Sequence, residues 1–337
     1  MGRLRVGIDV SPLALTRAGT SRYLRSLLAE LEGRPDEIEL ERYALTGEGR
    51  ATKIARDAGW YPAVLPRLAA RDRVDILHCP GPRAPLVSPV PLVVTIHDLA
   101  VLRHPRAFNA WTRRYSASTL PRIARAARLV LTVSEFSRRE AIELLDLAPE
   151  RVRAIPNGVG APFGVDGPRV EGRYVLVVGT LEPRKNLART IEGFLRADLD
   201  GHELRVVGAS GWGDVRLAAR ERIRWLGEVP DEELAALYRG AACVAYLSLY
   251  EGFGIPVLEA LACGVPVVCP PGPPYDEFAD GVAVHADPLD PAAIARGLEQ
   301  AVARRAELAP LGPARAAAYD WARTAALTLA AYREAAA

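Results

Sequence analysis

Glu251 and Glu259 stand with seven residues between them in the stretch Leu249-Tyr-Glu-Gly-Phe-Gly-Ile-Pro-Val-Leu-Glu. Pro256 suits the first turn of a helix, and the free amides ahead of such a turn attract an anion. Gly252 and Gly254 would let a ligand come close to that backbone. The stretch therefore reads as a phosphate seat without a Walker lysine, with Glu251 in the loop before the helix and Glu259 in its first turn. A carboxylate beside phosphate is awkward unless it accepts hydrogen bonds, and sugar or ribose hydroxyls would supply them. Taken alone, the pair has an equal alternative: Glu259 complements the helix dipole and Glu251 is a solvated loop residue.

A second stretch, Val177-Val-Gly-Thr-Leu-Glu-Pro-Arg-Lys-Asn-Leu, reads as a strand, a glycine turn and two cations where the next helix opens. Arg184 and Lys185 there would clamp a diphosphate, with a solvated cationic pair as the alternative. Lys185 is one of only two lysines among 43 basic residues, which favours a specific ammonium role. On these grounds Lys185→Ala is expected to lower turnover far more than folding stability. Earlier in the chain, Ala18-Gly-Thr-Ser-Arg-Tyr-Leu opens a helix after the first strand, and Thr95-Ile-His-Asp-Leu ends another strand with His97 and Asp98. Neighbours on a strand point to opposite faces, so His97 and Asp98 do not form a relay of the Ser-His-Asp type. Gly208-Ala-Ser-Gly-Trp-Gly lacks the spacing of the dinucleotide fingerprint. Asp198-Leu-Asp is explained by a turn before Gly201, and no metal is assigned.

These residues need elements to hold them. Apolar runs at 4–10, 75–78, 92–96, 129–133, 174–178, 204–207, 243–247 and 265–269 predict strands buried on both faces of parallel sheets. Helical patterns fall between them at 21–31, 135–145, 186–197, 231–239 and 291–304, and the Ala-rich tail from 316 to 337 predicts a last helix. The alternation predicts an α/β protein of two doubly wound domains facing a cleft, with ligand beyond the carboxyl ends of the strands. The boundary falls in the Gly- and Pro-rich stretch 156–172. The expected parts are 1–165, 172–318 and a closing segment 319–337.

Composition narrows the function. The 337 residues are 50% hydrophobic and 25% charged, with 43 basic against 41 acidic side chains, too balanced for a dedicated nucleic-acid binder. The opening Met-Gly-Arg-Leu-Arg lacks the apolar stretch of a signal peptide, and no run reaches the length of a membrane span, so a cytoplasmic protein is expected. Cys79, Cys243, Cys263 and Cys269 have no Cys-x-x-Cys spacing and read as buried thiols. Seven arginines from Arg103 to Arg128 sit in an interval, Leu99 to Ser134, without an Asp or Glu. They would suit anionic lipid headgroups or a phosphate-bearing acceptor, the alternative being a solvated face balanced by acids elsewhere.

Taken together, these residues resemble the retaining glycosyltransferases of family 4, which have two Rossmann-like domains, the GT-B fold. Glu251 to Glu259 resembles the family's E-x7-E element. Val178-Gly-Thr-Leu-Glu-Pro-Arg-Lys-Asn, Val133-Ser-Glu-Phe-Ser, Pro156-Asn-Gly-Val, Val94-Thr-Ile-His-Asp-Leu and Asp320-Trp-Ala resemble its bacterial mannosyltransferase-like branch. The likeness runs from about Arg5 to Tyr332. It implies metal-independent hexose transfer, mannose from GDP-mannose foremost, to a glycan, lipid-linked or small-molecule hydroxyl acceptor. The nucleotide sugar is a co-substrate, and no further cofactor is implied.

By position, the resemblance gives Glu251 the donor sugar's hydroxyls, Glu259 the ribose diol, and Arg184 and Lys185 the diphosphate. His97 would lie beside the transferred sugar and the attacking hydroxyl. Gly19, Thr180, Gly252, Phe253, Gly254 and Ile255 complete the donor contacts, and the helix after Trp321 returns to the first domain. Ser21 stands where the family often has a second glycine, Thr180 where many relatives have arginine, and Gly272-Pro-Pro-Tyr-Asp-Glu-Phe replaces a serine-rich stretch. A GT-B epimerase or phosphorylase and a binding-only relative would share this donor site. A nicotinamide oxidoreductase on the same sheet type lacks its glycine fingerprint here.

Overall fold

A computed structural model describes residues 2–15, 19–47, 49–209 and 221–337. In chain order the strands are β1 (Leu4–Asp9), β2 (Ile38–Tyr43), β3 (Ile76–Cys79), β4 (Leu92–Ile96), β5 (Leu129–Thr132), β6 (Val152–Ala154), β7 (Tyr174–Val178), β8 (Glu203–Val207), β9 (Ile223–Gly227), β10 (Cys243–Ala245), β11 (Val267–Cys269) and β12 (Val284–His285). The helices are α1 (Ser11–Leu15), α2 (Gly19–Glu32), α3 (Gly49–Ala55), α4 (Leu65–Arg71), α5 (Ala100–Arg103), α6 (Ala110–Ala126) and α7 (Glu135–Leu145), followed by α8 (Leu187–Arg196), α9 (Asp231–Gly240), α10 (Ile255–Ala262), α11 (Pro291–Ala303), α12 (Arg305–Leu308), α13 (Leu311–Ala316) and α14 (Trp321–Ala336).

The chain divides into two compact units, Met1–Asn157 with Trp321–Ala337, and Gly158–Asp320. The first unit thus stops earlier in the chain than residue 165 and takes back α14 at the end. Of the stretches read from sequence, Ala18 and Ser210-Gly-Trp-Gly lie outside the described residues.

Unit 1 holds a parallel sheet in the order β2-β1-β3-β4-β5-β6. Its central strands are runs such as Leu92-Val-Val-Thr-Ile, buried throughout because helices cover both faces. On one face α2 contributes Tyr23, Leu24, Leu27, Leu28 and Leu31 at helical spacing, and α14 adds Ala325, Leu329, Tyr332 and Ala335 to the same core. Each fully buried Leu there adds about 2 kcal/mol. The helix α14 is further tied down by Arg153–Glu334 and Arg333–Glu37 ion pairs and by the Thr324 hydroxyl donating to the Pro156 carbonyl.

Unit 2 holds the sheet β12-β11-β10-β7-β8-β9, again wholly parallel. Strand order reverses between β7 and β10, and in unit 1 between β1 and β3. Both sheets are therefore doubly wound, and the carboxyl ends at each reversal are where such sheets hold ligand. Capping residues fix the helix starts: Ser134 accepts from the Ser137 amide ahead of α7, and Asp290 accepts from Ala292 ahead of α11, with Pro291 at its first position. The four cysteines are buried and free. Among the described residues, no helix is long and apolar enough to cross a membrane.

Candidate active site

In unit 2 the reversal between β7 and β10 brings the two chemistry-bearing stretches together. Past Val178 the chain turns at Gly179 (φ 151°), against which Gly208 packs backbone to backbone. A Cβ on Gly208 would meet the Gly179 carbonyl oxygen at 2.0 Å, so no side chain fits there. A short 3-10 turn, Pro183–Lys185, then swings Arg184 and Lys185 back over the strand ends, and Asn186 (φ 57°) starts α8. The Leu249 amide donates to the Arg184 carbonyl (2.8 Å) and staples the loop after β10 to this turn.

The side chains form a closed knot of charge. The Lys185 ammonium donates to Glu251 Oε1 at 2.5 Å and to the Tyr246 hydroxyl at 3.0 Å, and it lies over the Tyr246 ring. Arg184 donates to Glu251 Oε2 at 3.3 Å, to Glu182 Oε1 at 2.8 Å and to the Tyr250 carbonyl at 2.9 Å. Burial opposes the charge on Glu251, but the Lys185 and Arg184 cations outweigh it and hold the carboxyl down at about 2. Burial likewise works against the ammonium, and Glu251 more than offsets it, so Lys185 stays protonated above the usual lysine range. Two cations face two carboxylates, Glu182 and Glu251, in a nearly buried space. The sequence reading separated the sugar carboxylate from the diphosphate clamp, whereas here they are partners. Lys185 is thus also a structural counter-charge, and its removal would strand a buried carboxylate. The expectation that Lys185→Ala spares stability is corrected on that ground.

Gly252, Phe253 and Gly254 lead into α10, whose cap residue Gly254 has φ 107° and whose second residue is Pro256. Phe253 is buried with its ring stacked on Phe278 (4.8 Å between centroids), so its side chain is not offered to a ligand. Ile255, half-buried, opens the helix. Glu259 lies beyond the first turn, which has no acidic residue, and this corrects the sequence placement. Its carboxylate is 1% exposed and accepts from the Tyr238 hydroxyl of α9 at 3.1 Å, so it is not a surface complement to the dipole. Thr180, half-buried, lies beside Lys185 in a small crevice with Gly179, Tyr246 and Ser248. The substituted stretch 272–278 places Tyr275 edge-on to Tyr246, with a buried hydroxyl that has no hydrogen-bond partner among the described residues.

In unit 1, Gly19 is the exposed first residue of α2. Ser21, where a second glycine was of interest, turns inward and donates to the Pro12 carbonyl. His97 follows β4 with its ring edge against Tyr23 (4.8 Å) and its Nε2 3.2 Å from the Pro80 carbonyl. A carbonyl only accepts, so Nε2 carries the proton and Nδ1 is the acceptor. Burial lowers the His97 pKa, which favours this neutral form. Asp98 accepts from the Ala100 amide. His78 is fully buried between Tyr332 (2.7 Å) and Thr95 (2.8 Å), and the Tyr23 hydroxyl reaches Thr95 at 3.4 Å.

Sequence reasoning missed Tyr246, Glu182, Tyr238 and Tyr275. The signal for Tyr246 was present, since it is the first residue past β10 at the reversal point. Tyr238 and Tyr275 reach the site from a helix face and a loop, which spacing does not reveal.

Residues 17–161 match the model of Glycosyltransferase Family 4, and residues 164–314 that of Glycosyl transferases group 1. O-antigen chain mannosyltransferase B of Escherichia coli is 32% identical over a match covering 72% of this chain and 70% of that protein. Among solved structures, sucrose-phosphate synthase of Thermosynechococcus elongatus superposes with a TM-score of 0.78 at 19% identity, over 98% of this chain and 99% of that one. HepE of Anabaena, in complex with UDP-glucose, does so with 0.77 at 17% identity, over 98% and 100%. These structural likenesses concern the fold, a pair of doubly wound domains of the GT-B type. With both halves matched and a relative of this identity spanning most of its length, the chain belongs to the family 4 glycosyltransferases.

Proposed function

We propose that the protein transfers a hexose, mannose from GDP-mannose foremost, to a glycan, lipid-linked or small-molecule hydroxyl, with retention of configuration and without a metal ion. The observation that carries this reading is the Lys185–Glu251–Arg184 knot at the carboxyl ends of β7 and β10, next to the amino end of α10. On donor binding Lys185 and Arg184 exchange Glu251 for the diphosphate, and Glu251 turns to the sugar's hydroxyls. The glycosidic bond from C1 to the phosphate oxygen breaks, and the growing charge on the leaving diphosphate meets the two cations and the amides of Gly252 to Ile255. The acceptor oxygen bonds to C1 from the face the phosphate leaves, and its proton passes to the departing phosphate oxygen. Retention then needs no carboxylate nucleophile.

Gly19 and Thr180 add backbone contacts to phosphate, and Glu259 takes the ribose diol by giving up the Tyr238 hydroxyl. His97, neutral and with Nδ1 as acceptor, takes a hydroxyl of the sugar or acceptor. Mannose is favoured because the Escherichia coli relative is named a mannosyltransferase, while the HepE complex keeps a uridine donor in the test.

The test is a thermal-shift panel of GDP, UDP, TDP and ADP, followed by turnover with the matching sugar nucleotide in the presence of EDTA. The anomeric configuration of the product is then read by NMR. A diphosphate at 100 times its dissociation constant adds about 2.7 kcal/mol, a shift of a few degrees. Stabilisation by GDP and an α-linked mannosyl product support the reading. No response to any diphosphate removes it, and inversion removes the stereochemical part.

A further inference from the structure

Beside the charge knot of unit 2 stands a hydroxyl with nothing to bond. Tyr275 opens the short 3-10 turn Tyr275–Glu277, and its backbone is fully engaged. The amide donates to the Gly272 carbonyl (3.1 Å), and the carbonyl accepts from the amides of Phe278 (3.1 Å) and Ala279 (2.6 Å). The ring is walled in. It meets Tyr246 and Phe278 edge-on, at 6.2 and 6.5 Å between centroids, and a Cβ on Gly254 would come to 3.0 Å from its Cε1. Tyr275 is 2% exposed, and its hydroxyl, shut off from solvent, has no hydrogen-bond partner among the described residues.

A buried hydroxyl left unpaired lowers stability, and phenylalanine would fill the same space without that penalty. The group gains a use if a second arrangement of the site brings it a partner. Glu251 is suited to be that partner. Its charge acts on the Tyr275 hydroxyl and, with burial and Tyr246, holds the phenol proton well above the usual tyrosine range, so the group stays a donor. In the ligand-free knot Lys185 and Arg184 take the two oxygens of Glu251, at 2.5 and 3.3 Å, with Ser248 close by. A diphosphate that draws both cations away would leave this carboxylate buried without a counter-charge.

We propose that Tyr275 is a positioning residue that receives Glu251 as Lys185 and Arg184 let go. Its O–H donates to the carboxylate, keeps it charged and holds it toward the sugar's hydroxyls. Tyr275 makes no bond to the substrate and transfers no proton. This role rests on the donor reading above, in which the cations exchange Glu251 for the diphosphate. The penalty of the unpaired hydroxyl in the empty site is then relieved in the loaded one, so the tyrosine makes the knot easier to open.

Two double-mutant cycles test this. In the free protein Lys185→Met imitates departure of the ammonium. Tyr275→Phe alone should leave the urea midpoint unchanged or raise it, whereas in the Lys185→Met background it should lower the folding constant about tenfold, because a hydrogen bond to a charged group is then lost. The second cycle is calorimetry with GDP, UDP, TDP and ADP. Tyr275→Phe should weaken the diphosphate that binds by about tenfold, and that loss should largely vanish once Glu251→Gln is also present. A purely structural Tyr275 would give the same loss with either residue at position 251. Equal effects in both backgrounds of either cycle overturn the proposal, and the binding cycle decides if Lys185→Met does not fold. A wild type that binds none of the four diphosphates removes the donor reading instead, and the stability cycle then decides whether Tyr275 takes Glu251.

Discussion

On the proposed reading Lys185 and Glu251 have two duties each, and these can be separated experimentally. Lys185→Ala should lower kcat by about 10²–10³-fold through the lost counter-charge. It should also cost about 3 kcal/mol of stability by leaving a buried carboxylate with Arg184 as its one remaining counter-charge among the described residues. Adding Glu251→Gln should restore much of the stability and none of the turnover, measured by urea denaturation and initial rates. Stability returning together with rate would mean that the knot has only a structural duty. The knot also predicts a pH signature. Glu251 is held at about 2 against an ordinary 4.5, so its contribution is complete above pH 4.5 and is lost as pH falls toward 2. The urea midpoint of the wild type should therefore approach that of Glu251→Gln across this window, and a gap that does not change with pH would refute the assignment.

Elements show why some of the fold was legible. The strands that apolar runs located are the interior ones, where both faces are covered and Val, Ile and Leu follow one another. The four missed strands, β2, β6, β9 and β12, are the four sheet edges. In β2 the sequence Ile38-Glu-Leu-Glu-Arg-Tyr mixes charged with apolar residues and is buried only at its two ends, as an edge strand allows, and a search for continuous apolar runs passes over it. The charged cluster of unit 2 was legible in sequence where it lies after a strand or ahead of a helix, as with Lys185 and Glu251. Tyr332 was hidden because its partner His78 is 254 residues away and only the return of α14 joins them. That contact carries its own prediction. Burial holds His78 at about 3, well below 6.5, so the unfolded chain binds more protons between these values and stability falls as pH drops from 6.5 toward 3. Tyr332→Phe should cost about 1–3 kcal/mol by leaving an imidazole nitrogen unpaired, and protection of α14 amides from hydrogen exchange should fall with it. Unchanged protection would remove the anchoring role.

The whole molecule is two doubly wound units with unequal claims on the chain. Unit 2 is continuous, whereas unit 1 depends on a helix made after unit 2 is complete. A chain ending at Asp320 should keep native-like exchange protection in unit 2. In unit 1 it would expose the core around Leu24, Leu27 and Ile76 that α14 covers, so protection there should be lost. Retained protection in unit 1 would show that α14 is dispensable. The two-unit plan was readable because the alternation of strand and helix repeats. The exact point of transfer was not, since the Gly- and Pro-rich stretch 156–172 offers many breaks and only packing decides that Asn157 belongs to one unit and Gly158 to the other.

On the proposed reading, the knot around Glu251 also makes the site discriminate between a loaded and a spent nucleotide. A sugar nucleotide offers an anion to Lys185 and Arg184 and hydroxyls to Glu251, so every charge finds a new mate. The spent diphosphate offers only the anion, and Glu251 competes to reclaim its cations. Product expulsion would thereby be driven from inside the site. Glu251→Gln should bind the nucleoside diphosphate more tightly than the wild type while losing affinity for the intact donor, an inversion that calorimetry with the two ligands would reveal, and parallel changes for both would rule it out.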